Sequence, residues 1–201
     1  MSAIITEKFR QHNATQFFES VSEASKSTYY LFVGKATAYT SGTTGGSDSS
    51  PPTPSDSPTD TEFYAWDSML AAKNVTSSDI TYSIPRRNWS NGTTYDMYDD
   101  NISSSNTTTS GASNLYDSTF YFMTSDYRVY KVLDNNAGSA YSGAEPTSES
   151  TSPFALGGYV LKYMYAITTS EAAKFLTSDF IPLYQMIQQY LLPLLMVRLN
   201  H

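Results

Sequence analysis

Cysteine is absent from this 201-residue chain, which removes disulfides, thiolate nucleophiles and cysteine-ligated metal sites together. Histidine occurs only at His12 and His201. Neither has the partner spacing of a metal site, and neither sits near a Ser or Asp suited to nucleophilic catalysis. His12 reads as an exposed helix residue. Charge is sparse as well: Asp, Glu, Lys and Arg make up 15% of the chain, and its formal net charge is −7. A mildly acidic chain gains nothing from counterion release, so nucleic acid is not expected as a main ligand. No run approaches the roughly 20 apolar residues of a membrane span. The amino-terminal MSAIITEKFRQ lacks the uninterrupted apolar core of a secretory signal.

Aromatic residues, by contrast, reach 14%, with seventeen Tyr and ten Phe, in a chain that is 40% hydrophobic. This Tyr-rich, charge-poor composition favours sheets and broad packed surfaces. The length fits one domain, or one domain with a small insertion, and suffices to bury a sizeable core. Residues 2–22 carry Phe9, Phe17 and Val21 at helical spacing, with Thr6 placed as a cap. TYYLFVG (28–34) is a strand closed by glycine, FYAWDSMLAAKN (63–74) reads as a short helix burying Trp66 and Leu70, and ITYSIPRRNW (80–89) starts as a strand that Pro85 stops. STFYFMTSDYRVYKVL carries the clearest hairpin signal, turning at Thr124, Ser125 and Asp126. GGYVLKYMYAI (157–167) is another strand, and TSEAAKFL a short helix capped by Thr169 or Ser170. Ser/Thr/Pro/Gly/Asp-rich tracts at 40–61, 91–114 and 142–152 read as exposed loops.

Several motifs invite a chemical reading. YTSGTTGG (39–46) imitates the phosphate loop of adenylate-forming enzymes, but Ser47, Asp48 and Ser49 follow where that loop needs a cation. A carboxylate there repels phosphate, so chance matching in a Ser/Thr/Gly-rich tract accounts for it. Six glycosylation sequons, at Asn13, Asn74, Asn88, Asn91, Asn101 and Asn106, are what any Asn/Ser/Thr-rich chain generates. Asp96, Asp99 and Asp100 lack the alternation and terminal Glu of a calcium hand and read as a solvated loop. No motif requires a catalytic residue, a metal or a cofactor. IPRRNW (84–89) is different, because adjacent arginines between Pro and Trp are conspicuous among twelve basic residues. Arg86 and Arg87 suit bidentate pairing with a partner's carboxylates, with Trp89 as an aromatic anchor. They equally suit an internal ion pair, with Trp89 in the core.

AIITEKF (3–9), YYLFVGK (29–35), IPRRNW, YRVYKVLDNN (127–136) and GGYVLKYMYAI stand in an order and spacing that resembles the gene-product-8 baseplate wedge proteins of T-even-type contractile-tailed phages. The Ser/Thr-rich loops look like the cyanophage versions, and the resemblance covers roughly residues 3–182. It implies a virion structural protein and no enzyme: a mainly β (α+β), β-sandwich-like domain with a small α/β insertion, an N-terminal helix and long polar loops. It further implies a homodimer within the wedge, contacts with other baseplate wedge proteins, assembly in the host cytoplasm and residence in the tail baseplate. Arg86, Arg87 and Trp89 belong to the resembling motif, and both readings of them stay open.

Two departures accompany the resemblance. Leu161 stands where the family carries an aromatic. The segment 183–201 is abruptly apolar, contains Pro193 and matches nothing in the family. We therefore expect residues 1–182 to be an incomplete wedge domain, and 183–201 a tail translated from a slipped frame or a truncation at the C-terminus. A family-like frame running past His201 in the alternate phase of the nucleotide sequence is the expected sign. The alternative reading from another class is a secreted or surface carbohydrate-binding β-protein using exposed Tyr and Trp as sugar platforms.

Overall fold

The computed structural model describes residues 7–23, 28–34, 38–39, 46–51, 69–183 and 196–199. The chain divides into two compact units, Ser20–Ser78 and a larger one made of Met1–Glu19 with Asp79–His201.

In the smaller unit, β1 (Tyr29–Gly34) pairs antiparallel with β2 (Met69–Val75), from Tyr29 opposite Val75 to Gly34 opposite Met69, with a bulge between Val33 and Gly34. Strand β2 corrects the expectation of a helix over 63–74. MLAAKNV is rich in good helix formers, yet β1 offers it a hydrogen-bonding partner along its length, and tertiary pairing outweighs local propensity. Leu70, expected buried, is 63% exposed; residues 63–68, including Trp66, lie outside the described residues. Val21 and Val75 are buried. The Ser20 and Tyr29 hydroxyls meet at 3.0 Å, and Asn74 Nδ2 donates to Tyr29 O at 3.2 Å.

The larger unit takes most of α1 (Glu7–Ser22), whose residues from Ser20 on belong to the smaller unit; the helix starts inside the expected one, and Thr6, the expected cap, lies outside the described residues. Next come β3 (Ile80–Pro85), β4 (Tyr121–Met123), β5 (Arg128–Asp134), β6 (Phe154–Leu156), β7 (Tyr159–Ala166), α2 (Thr169–Phe175), β8 (Phe180–Pro182) and β9 (Met196–Leu199). They form two antiparallel sheets, ordered β8-β3-β9 and β4-β5-β7-β6. The expected mainly β fold with few helices is what the chain adopts. The expected hairpin around TSDYR forms: β4 and β5 pair antiparallel, with Met123 opposite Val129.

The four-stranded sheet carries core on both faces. Tyr121, Met123, Val129, Tyr165 and Ile167 join Tyr82 and Ile84 of β3 and Ile181 of β8 in one core. Phe122, Tyr130, Val132, Tyr159 and Leu161 join Tyr95 and Tyr141 in the other. The first core thus lies between side chains of both sheets, a sandwich-like arrangement. From α1, Phe18 stacks on Tyr82 with ring centroids 4.7 Å apart.

Strand β7 feeds both cores because it is irregular. Strict alternation would put Tyr159, Leu161, Tyr163 and Tyr165 on one face. The register shifts instead, so that Tyr163 faces Tyr130 while Tyr165 faces Val129. The extra residue is Met164, and such a bulge re-aims the side chains beyond it. Tyr165 therefore enters the first core, where its hydroxyl donates to Pro182 O at 2.9 Å. Leu161, the departure from the family pattern, is fully buried in the second core.

Two loops owe their shape to single residues. Gly157 has φ +63, and a Cβ there would meet the Tyr141 ring at 2.5 Å, so glycine is required for both conformation and space. Helix α2 is capped by Thr168, which precedes both expected candidates: Thr168 Oγ1 accepts from Glu171 N at 3.2 Å, and Glu171 Oε2 accepts from Thr168 N at 2.8 Å. The cap needs extended backbone, which Thr168 has and helical Thr169 and Ser170 do not.

Candidate functional site

IPRRNW starts on β3 and ends beside β4. Pro85 pairs with Phe180 of β8, and Arg86 N donates to Asp179 O at 2.7 Å. Two residues later the segment has changed sheet: Met123 N donates to Arg87 O at 2.7 Å, and Trp89 N donates to Met123 O at 2.8 Å. Proline fits here because its nitrogen, which carries no N–H, sits opposite Phe180 at a position that gives β8 no hydrogen bond, and the ladder runs on to Arg86. A cross-link secures the change of sheet, with the Tyr121 hydroxyl donating to Pro85 O at 2.6 Å. Burial pushes the Tyr121 phenol well up, and the Arg87 guanidinium beside it pulls part of the way back.

The two arginines diverge. Arg87 lies over the Tyr121 ring, 5.7 Å from its centroid, and Nη2 donates to Tyr116 O at 2.7 Å. Arg86 Nη1 donates to Thr177 O and Nε to Asn88 Oδ1, each at 2.9 Å. Among the described residues the ion pairs join Arg128 to Asp126 and Glu149, and neither Arg86 nor Arg87 meets a carboxylate. Trp89 is half-buried and stands edge-on to Tyr141, centroids 5.9 Å apart. Its indole N–H is buried without an acceptor.

Beside this segment opens a cleft of about 410 Å³, lined by Arg86, Asn88, Trp89, Met123, Thr124, Ser125, Tyr127 and Glu145. Arg86 and Trp89, two of the three candidate residues, face this cleft together; Arg87 is outside its lining. The hairpin turn and the third polar tract supply walls that the sequence reading missed. Glu145 Oε1 accepts from Ser125 N and Oε2 from Ser125 Oγ, both at 2.6 Å. Glu149 pairs with Arg128 at 2.8 Å. These carboxylates fasten tract 142–152 to the β4–β5 turn. A signal was present in TSDYR, which has no glycine where a short hairpin loop usually needs one.

Polar tract 91–114 is not uniformly exposed. Asp96, expected in a solvated loop, is fully buried. Its Oδ1 accepts from Ser110 N at 2.7 Å. Its Oδ2 accepts from Ser110 Oγ at 2.7 Å, Thr119 N at 2.8 Å and Ser118 Oγ at 3.1 Å. Burial pushes this carboxyl up, but the hydrogen bonds led by Thr119 and Ser110 outweigh it and hold the group below the usual carboxylate range. It acts as the internal anchor of the tract. Asp99 accepts from Asn101 N and Asn106 Nδ2. No three His, Cys, Asp or Glu side chains among the described residues converge as a metal site, and no described helix is long and apolar enough to cross a membrane.

The arrangement suits contact between surfaces: an open cleft with aromatic walls, and a cation held by carbonyls. Residues 3–145 match the family model Phage-Gp8, described as Bacteriophage T4, Gp8. The matched stretch takes in α1, β1 to β5, the IPRRNW segment and every residue lining the cleft. No curated protein matches the chain.

Proposed function

Because this chain belongs to the Phage-Gp8 family, we propose that it does its work wholly by protein–protein assembly and performs no catalysis. It is a structural subunit of the phage tail baseplate wedge, it resides in the virion, and assembly with other baseplate proteins follows from that place. The observation that carries the reading is the family match over residues 3–145. The finer reading has three parts. The chain pairs with a second copy within the wedge, it joins the wedge in the host cytoplasm before virions are released, and it contacts neighbours through the surface around Arg86 and Trp89. An aromatic next to an under-compensated guanidinium is the usual composition of an interface hot spot. Arg87, stacked on Tyr121, takes the internal supporting role.

Co-expression of the chain with the other wedge proteins encoded beside it tests this. A stoichiometric complex that survives size exclusion is the expected result. A chain that elutes alone beside fully assembled neighbours, and binds glycans instead, would favour the carbohydrate-binding alternative and overturn the assembly reading.

A further inference from the structure

We propose that Asn91 is a site of spontaneous deamidation, and that segment 141–143 is the latch that withholds the reaction while the fold is closed. This inference goes beyond the assembly reading and does not depend on it.

Asn91 is the only Asn of the chain followed by Gly, and it is exposed. The chemistry favours that pair. The Gly92 nitrogen gives up its proton and attacks Asn91 Cγ. A C–N bond forms, the bond from Cγ to Nδ2 breaks, and ammonia leaves with the proton. Water then opens the succinimide at either carbonyl, giving aspartate or isoaspartate. A side chain on the attacking residue obstructs this ring closure, and glycine has none. Gly92 stands at φ +79, and a Cβ built on it would meet nothing within 4 Å, so the space around the nucleophile is open.

Two hydrogen bonds hold the reacting groups apart. Gly92 N donates to Tyr141 O at 2.9 Å, and Gly143 N donates to Asn91 Oδ1 at 3.1 Å. The nucleophile is tied through its N–H, and the amide it must attack is tied to another stretch of backbone. Both partners lie on 141–143, so release of that one segment frees both groups together. The latch is well fastened. Tyr141 N donates to Thr93 O and Ser142 N to Gly157 O, each at 3.0 Å, and the fully buried Tyr141 donates its hydroxyl to Ala144 O at 2.9 Å. The reaction therefore waits on a local opening.

The product bears on the cleft. Isoaspartate routes the main chain through the side chain and lengthens it by one carbon. Gly92 N and Thr93 O then cannot both keep their places against Tyr141. Asn88 and Trp89 precede the site, Glu145 follows the latch, and all three line the cleft, so isoaspartate at 91 displaces its wall. Plain Asp keeps the backbone path, and its carboxylate accepts from Gly143 N as the amide does.

The test follows Asn91 by peptide mapping and mass spectrometry during incubation in mildly alkaline buffer. Three samples run in parallel: the native full chain, the same chain unfolded in urea, and a synthetic peptide covering residues 88–95. The unfolded chain and the peptide should react at one rate, with Asn91 ahead of every other Asn. The native chain should be slower by about thirtyfold or more, the factor that two ordinary hydrogen bonds supply together. The Gly92 N–H should show matching protection from hydrogen exchange. A chain enriched in isoaspartate at 91 should melt below wild type, whereas Asn91→Asp should melt with it. Equal rates in the native and unfolded chain would overturn the latch, as would a slowing that the Gly92 protection does not match. Another Asn reacting first in the unfolded chain would overturn the site. An isoaspartate chain that melts like wild type would overturn the role given to the Tyr141 pairing.

Discussion

Replacing Asp96 by Asn changes one atom at the centre of a buried polar network, and the structure fixes how much that should cost. Four donors converge on the carboxylate, three on Oδ2 and one on Oδ1. An amide can keep its oxygen at the three-donor position only by setting its NH₂ against the Ser110 N–H. One charge-assisted bond, worth about 1.5–3 kcal/mol, is then lost, and the remaining three weaken to neutral strength. Easier burial of the neutral amide offsets part of this, leaving a net loss of about 3 kcal/mol, or ~10 °C in melting temperature for a chain of this size. Thermal unfolding followed by circular dichroism measures it, with exposed Asp100→Asn as the charge-matched control, expected within ~0.5 kcal/mol of wild type. Acidification supplies a second arm. The Asp96 carboxyl is held below its unfolded value, so its contribution is present above that value, about pH 3.9, and is lost as pH falls through the lower folded one. The gap between wild type and Asp96→Asn should therefore narrow below ~pH 4. A cost under ~1 kcal/mol at neutral pH, or an equal cost at Asp100, would refute the anchoring role.

Other outcomes rest on the same packing. Gly157→Ala should destabilise by about 3 kcal/mol or more, since it adds left-handed strain to a 2.5 Å clash with the Tyr141 ring; denaturant unfolding reads it, and a loss below ~1 kcal/mol would contradict the packing. Tyr127→Gly should relieve ~1 kcal/mol of backbone strain and leave the melting temperature level or higher. Tyr165→Phe, which leaves the Pro182 carbonyl without its donor, should cost ~1–2 kcal/mol. Burial raises the Tyr130 and Tyr141 phenols to about 12. A raised folded value gives stability that is full below the unfolded value near 10 and lost as pH rises towards 12. Tyrosinate absorbance of these core rings should thus appear together with loss of ellipticity, and their ionisation in an intact fold would contradict their burial.

Much of the larger unit was legible because its signals are local. Strand β3 ends at Pro85, and the alternating runs around TSDYR can pair in only one register if both cores are to fill. Local signals also misled. MLAAKNV is helical by propensity and a strand by pairing with β1, which lies about forty residues earlier in the chain. Asp96 looked solvated because its partners Ser110, Ser118 and Thr119 are brought to it by the fold of a tract with little pattern of its own. The cleft was half readable: IPRRNW announced Arg86 and Trp89, but Tyr127 and Glu145 reach them across sheet and loop. The β7 bulge at Met164, which sends Tyr165 to the opposite core from Tyr163, has no marker in YVLKYMYA. It follows from the need to serve two cores at once.

Immunogold labelling of intact virions, with an antibody raised against this chain, tests the account most directly. Label confined to the baseplate end of the contractile tail is the predicted result. Virions without label at the tail, while the chain persists free in the lysate or attaches to host glycans, would contradict a structural role in the wedge.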